Sequence, residues 1–282
     1  MKILLLLAAS LLAAPFSADA NATFAGRIVW RGLSPIVGGV SAIELADDGR
    51  SFIALSDRGS FWTGELQREG GTLTGISATG RNLYKEDGRV MNGDSEGLAL
   101  APDGSMYLSF ERRARVLRYA SPDAVPEGTG RAPQWRELRS NGALEALAIA
   151  PDGALYTVAE EPDADGLFTV YRRGGEGGPW RAALRLDRVG DFKMTGADFG
   201  PDGALYLLER QFSGFSFTSQ VRRIDLSRMR QEIVLRTGAG THGNLEGLAV
   251  WRDPQGKIRL TMVADNNFHP LQQTEIVEYR LD

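Results

Sequence analysis

The stretch DSEGLALAPDGSMYLSFERR, from Asp94 to Arg113, decides the fold. It contains an apolar strand, a Pro-Asp-Gly turn and a second apolar strand, which is the pattern of a tight antiparallel hairpin. The phrase occurs five times, and the other copies are GVSAIELADDGRSFIALSDRG from Gly39, ALEALAIAPDGALYTVAEEP from Ala143, TGADFGPDGALYLLERQF from Thr195 and NLEGLAVWRDPQGKIRLTMVADNNF from Asn244. The turn glycines are Gly49, Gly104, Gly153, Gly203 and Gly256, so the spacings are 55, 49, 50 and 53 residues. A period of this length is typical of propeller blades.

Further strands complete most of the repeats. Third strands are predicted at FWTGEL from Phe61, RVLRYA from Arg115, FTVYRR from Phe168, QVRRIDL from Gln220 and EIVEYRL from Glu275. Fourth strands are predicted at GTLTGISA from Gly71, QWRELR from Gln134, WRAALRL from Trp180 and EIVLRT from Glu232. For the last repeat we expect FAGRIVWRG from Phe24 to supply the fourth strand, because propellers protect their open edges in this way.

The sequence therefore predicts an all-β fold, a β-propeller with five visible repeat units and an N-terminal strand that closes the last blade. The number of blades is five or six, because a degenerate blade could lie between Phe61 and Asn92, where the hairpin phrase is absent. A sandwich or barrel built from similar hairpins is the alternative fold.

Composition excludes several classes of function. The chain has 282 residues and no cysteine, so disulfides, thiolate zinc sites, iron–sulfur clusters and cysteine nucleophiles are excluded. Lys and Arg number 32 against 36 Asp and Glu, a net charge of −4, and we therefore expect no nucleic-acid partner.

The first twenty residues have the pattern of a secretory signal peptide. Lys2 precedes an apolar run from Ile3 to Ala14, and Ala18-Asp19-Ala20 forms an A-x-A cleavage site. An uncleaved membrane anchor is the alternative, but the run is short for a span of about 20 residues. The pattern predicts a signal peptide over 1–20, followed by a single propeller domain over 21–282. We expect this domain to be periplasmic or secreted, without stable membrane insertion after cleavage. We also expect it to be a monomer.

Hairpin geometry locates a candidate site. The start of the first strand and the end of the second lie at the same end of a hairpin, opposite the turn. The starts of the first strands carry Ser41, Glu96, Glu145, Thr195 and Glu246. The ends of the second strands carry Asp57-Arg58, Glu111-Arg112, Glu160-Glu161, Glu209-Arg210 and Asp265-Asn266-Asn267. We expect these residues to surround one mouth of the central channel.

So many carboxylates at one rim require a positive partner, because like charges a few ångströms apart repel. Hard oxygen ligands suit a divalent cation, Mg²⁺ or Ca²⁺, and Ca²⁺ is the expected ion. The predicted ligands are Asp57, Glu96, Glu111, Glu145, Glu209, Glu246 and Asp265. The alternative is a ring of structural ion pairs between arginines and carboxylates, or, for the three E-G/A-L-A strand starts, hydrogen bonds to a neighbouring blade.

Two histidines and an aromatic segment lie in loops near the same rim. His242 and His269 are the only imidazoles, and with Glu160 they are the predicted general acids, bases or ligands. The segment QFSGFSF, from Gln211 to Phe217, predicts a binding or lid loop, with packing between blades as the alternative.

The segments SDRG, SFERR, LERQF and DNNF and the E-G-L-A strand starts resemble the phytase-like family of exported bacterial proteins, whose family description is esterase-like activity of phytase. The resemblance spans nearly all of residues 21–282. It implies a β-propeller with phosphoesterase or esterase activity, and calcium-dependent propeller phytases are the more distant analogy.

These observations predict an exported ester hydrolase, first of all a metal-assisted phosphoesterase acting at the channel mouth on a small-molecule ester. Arg58, Arg112, Arg210 and Asn244 are the predicted substrate-binding residues. A lactonase or carboxylesterase acting on neutral esters is one alternative. A non-catalytic envelope binding module, with Phe61, Trp62 and the aromatic segment as its contacts, is the other.

Overall fold

The structure is a computed structural model that describes residues 22–31, 37–138, 142–269 and 271–282. Over these residues the chain forms five four-stranded antiparallel sheets, arranged as the blades of a propeller. The predicted all-β propeller is confirmed with five blades. The predicted signal peptide lies outside the described residues.

The first strand of the chain, β1 (Ala22–Val29), belongs to the last blade. Blade I contains β2 (Val40–Leu45), β3 (Ser51–Ser56), β4 (Ser60–Glu69) and β5 (Thr72–Asn82). Blade II contains β6 (Ser95–Leu100), β7 (Met106–Phe110), β8 (Arg115–Tyr119) and β9 (Glu127–Gly128). Blade III contains β10 (Leu144–Ile149), β11 (Leu155–Ala159), β12 (Leu167–Gly174) and β13 (Gly177–Asp187). Blade IV contains β14 (Lys193–Phe199), β15 (Leu205–Phe212), β16 (Phe217–Asp225) and β17 (Arg230–Arg236). Blade V contains β18 (Asn244–Arg252), β19 (Ile258–Asp265) and β20 (Glu275–Leu281), followed by β1.

The N-terminal strand closes blade V as the sequence predicts. Strand β1 pairs antiparallel with β20 from Ala22 opposite Leu281 to Val29 opposite Glu275. The amide of Trp30 extends the pairing by donating to the carbonyl of Thr274 at 2.8 Å. This closure joins the two described ends of the propeller in one sheet.

Two parts of blades I and II differ in detail from the sequence expectation. The stretch between Phe61 and Asn92 forms the long β4–β5 hairpin of blade I and an isolated bridge between Tyr84 and Val90, with no sixth blade. The predicted strand QWRELR is wrong, because Pro133 to Arg136 form a 3₁₀-helix. Proline lacks the N–H that a strand needs and suits the first turn of a helix.

The core lies between the blades. Five clusters of buried apolar side chains occur, one at each of the five contacts between neighbouring blades, including the contact of blade V with blade I. Each sheet is therefore covered on both faces. None of the described helical segments is long and apolar enough to cross a bilayer.

The innermost strands leave little room on the propeller axis. They line a central cavity of about 10 Å³, which is room for one water molecule at most. The axis therefore has no room for a bound molecule larger than water.

Candidate functional site

Each innermost strand has a register shift at the position that the repeats predict for the site. The shifts lie between Val40 and Ala42, Ser95 and Leu98, Leu144 and Ala146, Met194 and Gly196, and Leu245 and Gly247. Bulges of this kind redirect a side chain out of the regular strand alternation. The five residues at the shifts, which we call the inner ring, are Ser41, Glu96, Glu145, Thr195 and Glu246.

Glycine follows the inner-ring residue where neighbouring blades approach most closely. A Cβ on Gly97 would lie 2.6 Å from the carbonyl oxygen of Glu145, and a Cβ on Gly196 would lie 2.6 Å from that of Glu246. Real Cβ contacts are longer, so these positions exclude a side chain unless the backbone moves. The glycine after the inner-ring residue therefore permits the close packing of blades II and IV against the next blade.

The two hydroxyl members of the inner ring bond to backbone. The Ser41 Oγ donates to the carbonyl of Ser95 at 3.1 Å, and the Thr195 Oγ1 donates to that of Leu245 at 3.2 Å. Both acceptors directly precede an inner-ring glutamate in the next blade. Ser41 and Thr195 thus join blades, and the three glutamates remain as the chemical groups of the ring.

The ends of the second strands supply a second set, which we call the outer ring. In blades I to III the amides of its members donate to Gly39, Asp94 and Ala143 at the matching point of each hairpin. In blades IV and V its members pair with Lys193 and Asn244. The outer ring consists of Asp57, Glu111, Glu160, Arg210 and Asp265.

Glu209 does not belong to either ring, which corrects its assignment as a metal ligand. It is 1% exposed, pairs with Arg222, and accepts a hydrogen bond from Gln220. Side chains alternate along a strand, so Arg210, and not its neighbour Glu209, occupies the ring. The distance from the turn glycine identifies the ring residue in the sequence, because Glu111, Glu160 and Arg210 each follow their turn glycine by seven residues.

Three carboxylates from blades II and III form the densest group. Glu96, Glu111 and Glu145 each offer an oxygen within 4.8 Å of the others, and all three are half-buried. Burial raises the pKa of Glu96 well above its usual range, and the charges of Glu145 and Glu246 raise it further. Burial also raises the pKa of Glu145 and of Glu111. The spacing of these three oxygens is one that could hold a metal ion.

Three further ring carboxylates, Glu246, Asp57 and Asp265, have raised pKa values because they are buried. Burial raises the pKa of Glu246 to about 8, and Asp265 adds to the effect. Burial and Asp265 raise the pKa of Asp57 to about 6. Asp265 is 4% exposed, and its Oδ1 is buried with no hydrogen-bond partner among the described residues. A hard cation would relieve the repulsion and satisfy that oxygen.

Arg210 balances one side of the rings. Its Nη1 donates to Glu246 at 2.8 Å, and its Nη2 donates to Glu160 at 3.1 Å. It also bonds to the Oδ1 of Asn244, whose amide nitrogen donates to Glu246 at 2.7 Å. The predicted substrate-binding residues Arg210 and Asn244 therefore hold the ring carboxylates in place.

The other two predicted arginines lie beside the rings. The guanidinium of Arg58 lies 3.5 Å from the ring centroid of Phe268. Phe268 and its neighbour Asn267 both have positive φ, a strained backbone that is often found at functional sites. Arg112 pairs with Asp94 at 3.0 Å, and its side chain is 76% exposed.

The structure does not place His242 with the carboxylates. His242 bonds to the hydroxyl of Tyr279 at 2.7 Å and stacks on Phe24, and both partners lie on the outermost strands of blade V. Burial lowers the pKa of His242, although the nearby Glu275 acts in the opposite direction. His269 follows Phe268 in the loop after β19, and its Nδ1 accepts from the amide of Leu271 at 3.3 Å. Glu160, the third predicted catalytic residue, lies in the outer ring.

The chain is similar to several solved structures at low sequence identity. A gluconolactonase from Xanthomonas campestris has 16% identity and a TM-score of 0.46, over 85% of this chain and 76% of that chain. A chain of the nidogen–laminin complex has 15% identity and a TM-score of 0.45, over 77% and 71%. The WD40 repeats of RRP9 have 10% identity and a TM-score of 0.41, over 95% and 99%. A search of curated proteins found no match. The family model described as Phytase-like, esterase-like activity of phytase, matches residues 35–268, and the chain therefore belongs to the phytase-like family.

Proposed function

We propose that the protein is an exported, divalent-cation-dependent hydrolase of ester bonds, with phosphoesters as its first substrate class. The observation that supports this most directly is the trio Glu96, Glu111 and Glu145, whose oxygens lie within 4.8 Å of one another. Membership of the phytase-like family supports the reaction class. The signal-peptide pattern of residues 1–20 supports export.

The donor set fits a hard cation, for which Ca²⁺ is our proposal. Glu96, Glu111 and Glu145 would hold it. When bound, such a cation supplies a Lewis acid that polarises the ester and offsets negative charge in the transition state. The chain offers no thiolate, so softer metals have no preferred ligand here.

The chain's own residues bind and orient the substrate. Arg58 and Arg112 lie beside the rings and can pair with the oxygens of a phosphate group. Arg210 fixes Glu160 and Glu246 in position through two hydrogen bonds. We assign Glu160 as the proton acceptor, because it is a ring carboxylate within reach of the mouth and is oriented by Arg210 and Lys193.

Neutral carboxylic esters and lactones are the second candidate substrate class. The observation that favours them is the composition of the rings, in which seven of ten positions are carboxylates: Asp57, Glu96, Glu111, Glu145, Glu160, Glu246 and Asp265. This much negative charge repels a dianionic phosphate unless the cation is bound. It places no such penalty on a neutral ester.

Turnover assays with matched esters test the proposal. The metal-stripped protein is assayed with p-nitrophenyl phosphate, p-nitrophenyl acetate and a δ-lactone, before and after addition of Ca²⁺, and phosphate and acid release are measured separately. We expect calcium-dependent phosphate release that the Glu145→Gln variant loses. Acid release alone would favour the second class. No turnover of any ester, with or without Ca²⁺, would contradict a hydrolase function.

A further inference from the structure

An open cavity of about 460 Å³ lies beside the two rings. A cavity of several hundred cubic ångströms is the size of a small-molecule site. Arg210 and Asn244 line it, and both also contact Glu246 of the inner ring. The cavity therefore adjoins the two rings at Arg210.

One wall of this cavity is the β15–β16 hairpin of blade IV. The ladder continues past Arg210 to a last pair formed by Phe212 and Phe217. Because side chains alternate along a strand, Phe212 is on the same face as Arg210. The turn is closed by the amide of Ser213, which donates to the carbonyl of Ser216 at 3.0 Å. The hairpin therefore holds two aromatic rings at the cavity on a hydrogen-bonded support.

The aromatic side chains of Phe212 and Phe217 are positioned to receive an aromatic group of a ligand. The centroids of Phe212 and Phe217 lie 4.8 Å apart with 37° between the planes, and Phe212 is 58% exposed. Large aromatic side chains exposed beside a polar site are characteristic of binding surfaces. Aromatic rings also favour offset or edge contacts with other aromatic rings.

Two cations lie on the same side of the cavity as the phenylalanines, because Arg210 belongs to β15 and pairs with Lys193 of β14, and Asp191 also lines the cavity. Lys193 and Arg210 both line it, and the guanidinium carbon of Arg210 lies 5.8 Å from the centroid of Phe217. Cations attract the face of an aromatic ring. Phenylalanines and cations side by side thus suit a flat aromatic group better than an aliphatic one.

We propose that this cavity, which we call the aromatic cavity, binds the aromatic group of an aryl or arylalkyl ester. The ester group itself lies at the inner and outer rings. The inference rests on the proposed hydrolase function and names its substrate class. Phe212 lies two strand residues beyond Arg210, about 7 Å along the hairpin. This distance matches the reach of a benzyl group from the ester bond.

Binding of uncleavable ligands tests the inference without requiring turnover. Benzylphosphonate and methylphosphonate are titrated into the protein by calorimetry in saturating Ca²⁺. A neutral pair, 4-phenyl-2-butanone and 2-butanone, is titrated by NMR, because ketones imitate carboxylic esters without cleavage. We expect the aromatic member of a pair to bind at least about tenfold more tightly, the advantage that a stacked ring supplies.

Two variants on the same hairpin separate the aromatic cavity from a general apolar effect. Phe212→Ala removes a lining ring, and we expect it to abolish most of the aromatic advantage while methylphosphonate affinity and the melting temperature change little. Phe215→Ala is the matched control, because Phe215 is 100% exposed at the tip and does not line the cavity. We expect it to keep the full advantage.

Each outcome is decisive. An aromatic advantage in either pair that Phe212→Ala removes and Phe215→Ala keeps supports the inference. Equal affinity within both pairs overturns it, and phosphonate binding would then still support the proposed function. An aromatic advantage confined to the neutral pair supports the cavity and contradicts a phosphoesterase. An advantage that survives Phe212→Ala overturns the cavity as its source.

Discussion

The Nη1 of Arg210 donates to the Oε1 of Glu246 at 2.8 Å, across the contact between blades IV and V. Arg210 occupies the outer-ring position at which the other four blades carry a carboxylate, all five positions being described. Arg210 of blade IV thus supplies the positive charge that balances Glu160 and Glu246. The side of the rings formed by blades II and III has no such substitution, and it is there that we propose the cation.

Loss of Arg210 should destabilise the fold. Arg210→Met leaves Glu160 and Glu246 without their shared partner in a site where the arginine side chain is only 16% exposed. Breaking a largely buried pair of this kind costs about 3 kcal/mol. Arg185→Met is the control, because Arg185 also binds two carboxylates but is 40% exposed, and ion pairs at the surface contribute little to stability. Urea unfolding measures both, and equal losses would show that Arg210 has no special role.

Stability of the metal-free protein should fall as the pH rises from about 4 to 8. The pKa of Glu246 is raised from 4.5 to about 8 and that of Asp57 from 3.8 to about 6. A raised pKa means that the folded state holds the proton more tightly than the unfolded chain does. The stability contributed by these two carboxyls is therefore fully present below about pH 4 and is lost as the pH rises through this window. Exposed acids such as Asp225, whose pKa is lowered by Ser227 and Arg228, act below the window.

Melting temperatures across this pH range, with and without Ca²⁺, check the prediction. We expect Ca²⁺ to reduce the fall, because it favours the ionised carboxylates, and Glu246→Gln to reduce the upper part of it. A melting temperature that rises steadily from pH 4 to 8 without metal would contradict the placement of these carboxylates together.

Glu209 and Glu111 should differ in what they support. Glu209→Gln breaks a buried pair with Arg222, and we expect it to cost about 3 kcal/mol of stability while calcium affinity is unchanged. Glu111→Gln removes a proposed ligand, and we expect roughly a tenfold or greater loss of calcium affinity with little loss of stability. Urea unfolding and calorimetry of both variants provide the comparison. Similar calcium affinities would remove Glu111 from the site.

A side chain at Gly196 should disturb the axis. Its Cβ would lie 2.6 Å from the carbonyl oxygen of Glu246, and relief of such overpacking costs about 1–3 kcal/mol. Thermal unfolding of Gly196→Ala measures the loss. Ala146 occupies the corresponding position in blade III and is fully buried, so Ala146→Gly is the matched control. We expect a smaller loss there, near the roughly 1 kcal/mol of an added glycine. An unchanged Gly196→Ala protein would show that the blades can separate at this point.

Much of the architecture could be predicted because each blade repeats one hairpin. The turn glycines marked five repeat units and left a sixth blade open, and the strand starts at Glu96, Glu145 and Glu246 identified the inner ring. The family model and the five sheets confirm the family and the fold. The position of a residue could be predicted from the sequence where it depends only on a local rule, such as the alternation of side chains along a strand.

The errors have identifiable physical causes. Glu209 and Arg210 are adjacent, and only the offset from Gly203 distinguishes the residue that faces the ring from the one that faces sideways. The fourth strand of blade II was misplaced because Pro133 favours a 3₁₀-helix. His242 was placed at the mouth because it precedes β18, but its loop turns the side chain toward Tyr279. Loop direction depends on tertiary contacts that the repeat does not encode.

The central claim is that the ring carboxylates hold a cation, and calcium titration of the metal-stripped protein by calorimetry tests it most directly. We predict a saturable site that raises the melting temperature and that is lost in Glu145→Gln but kept in Glu209→Gln. No binding of Ca²⁺, Mg²⁺ or Mn²⁺ would contradict the claim and leave the rings as a structural arrangement of carboxylates around Arg210.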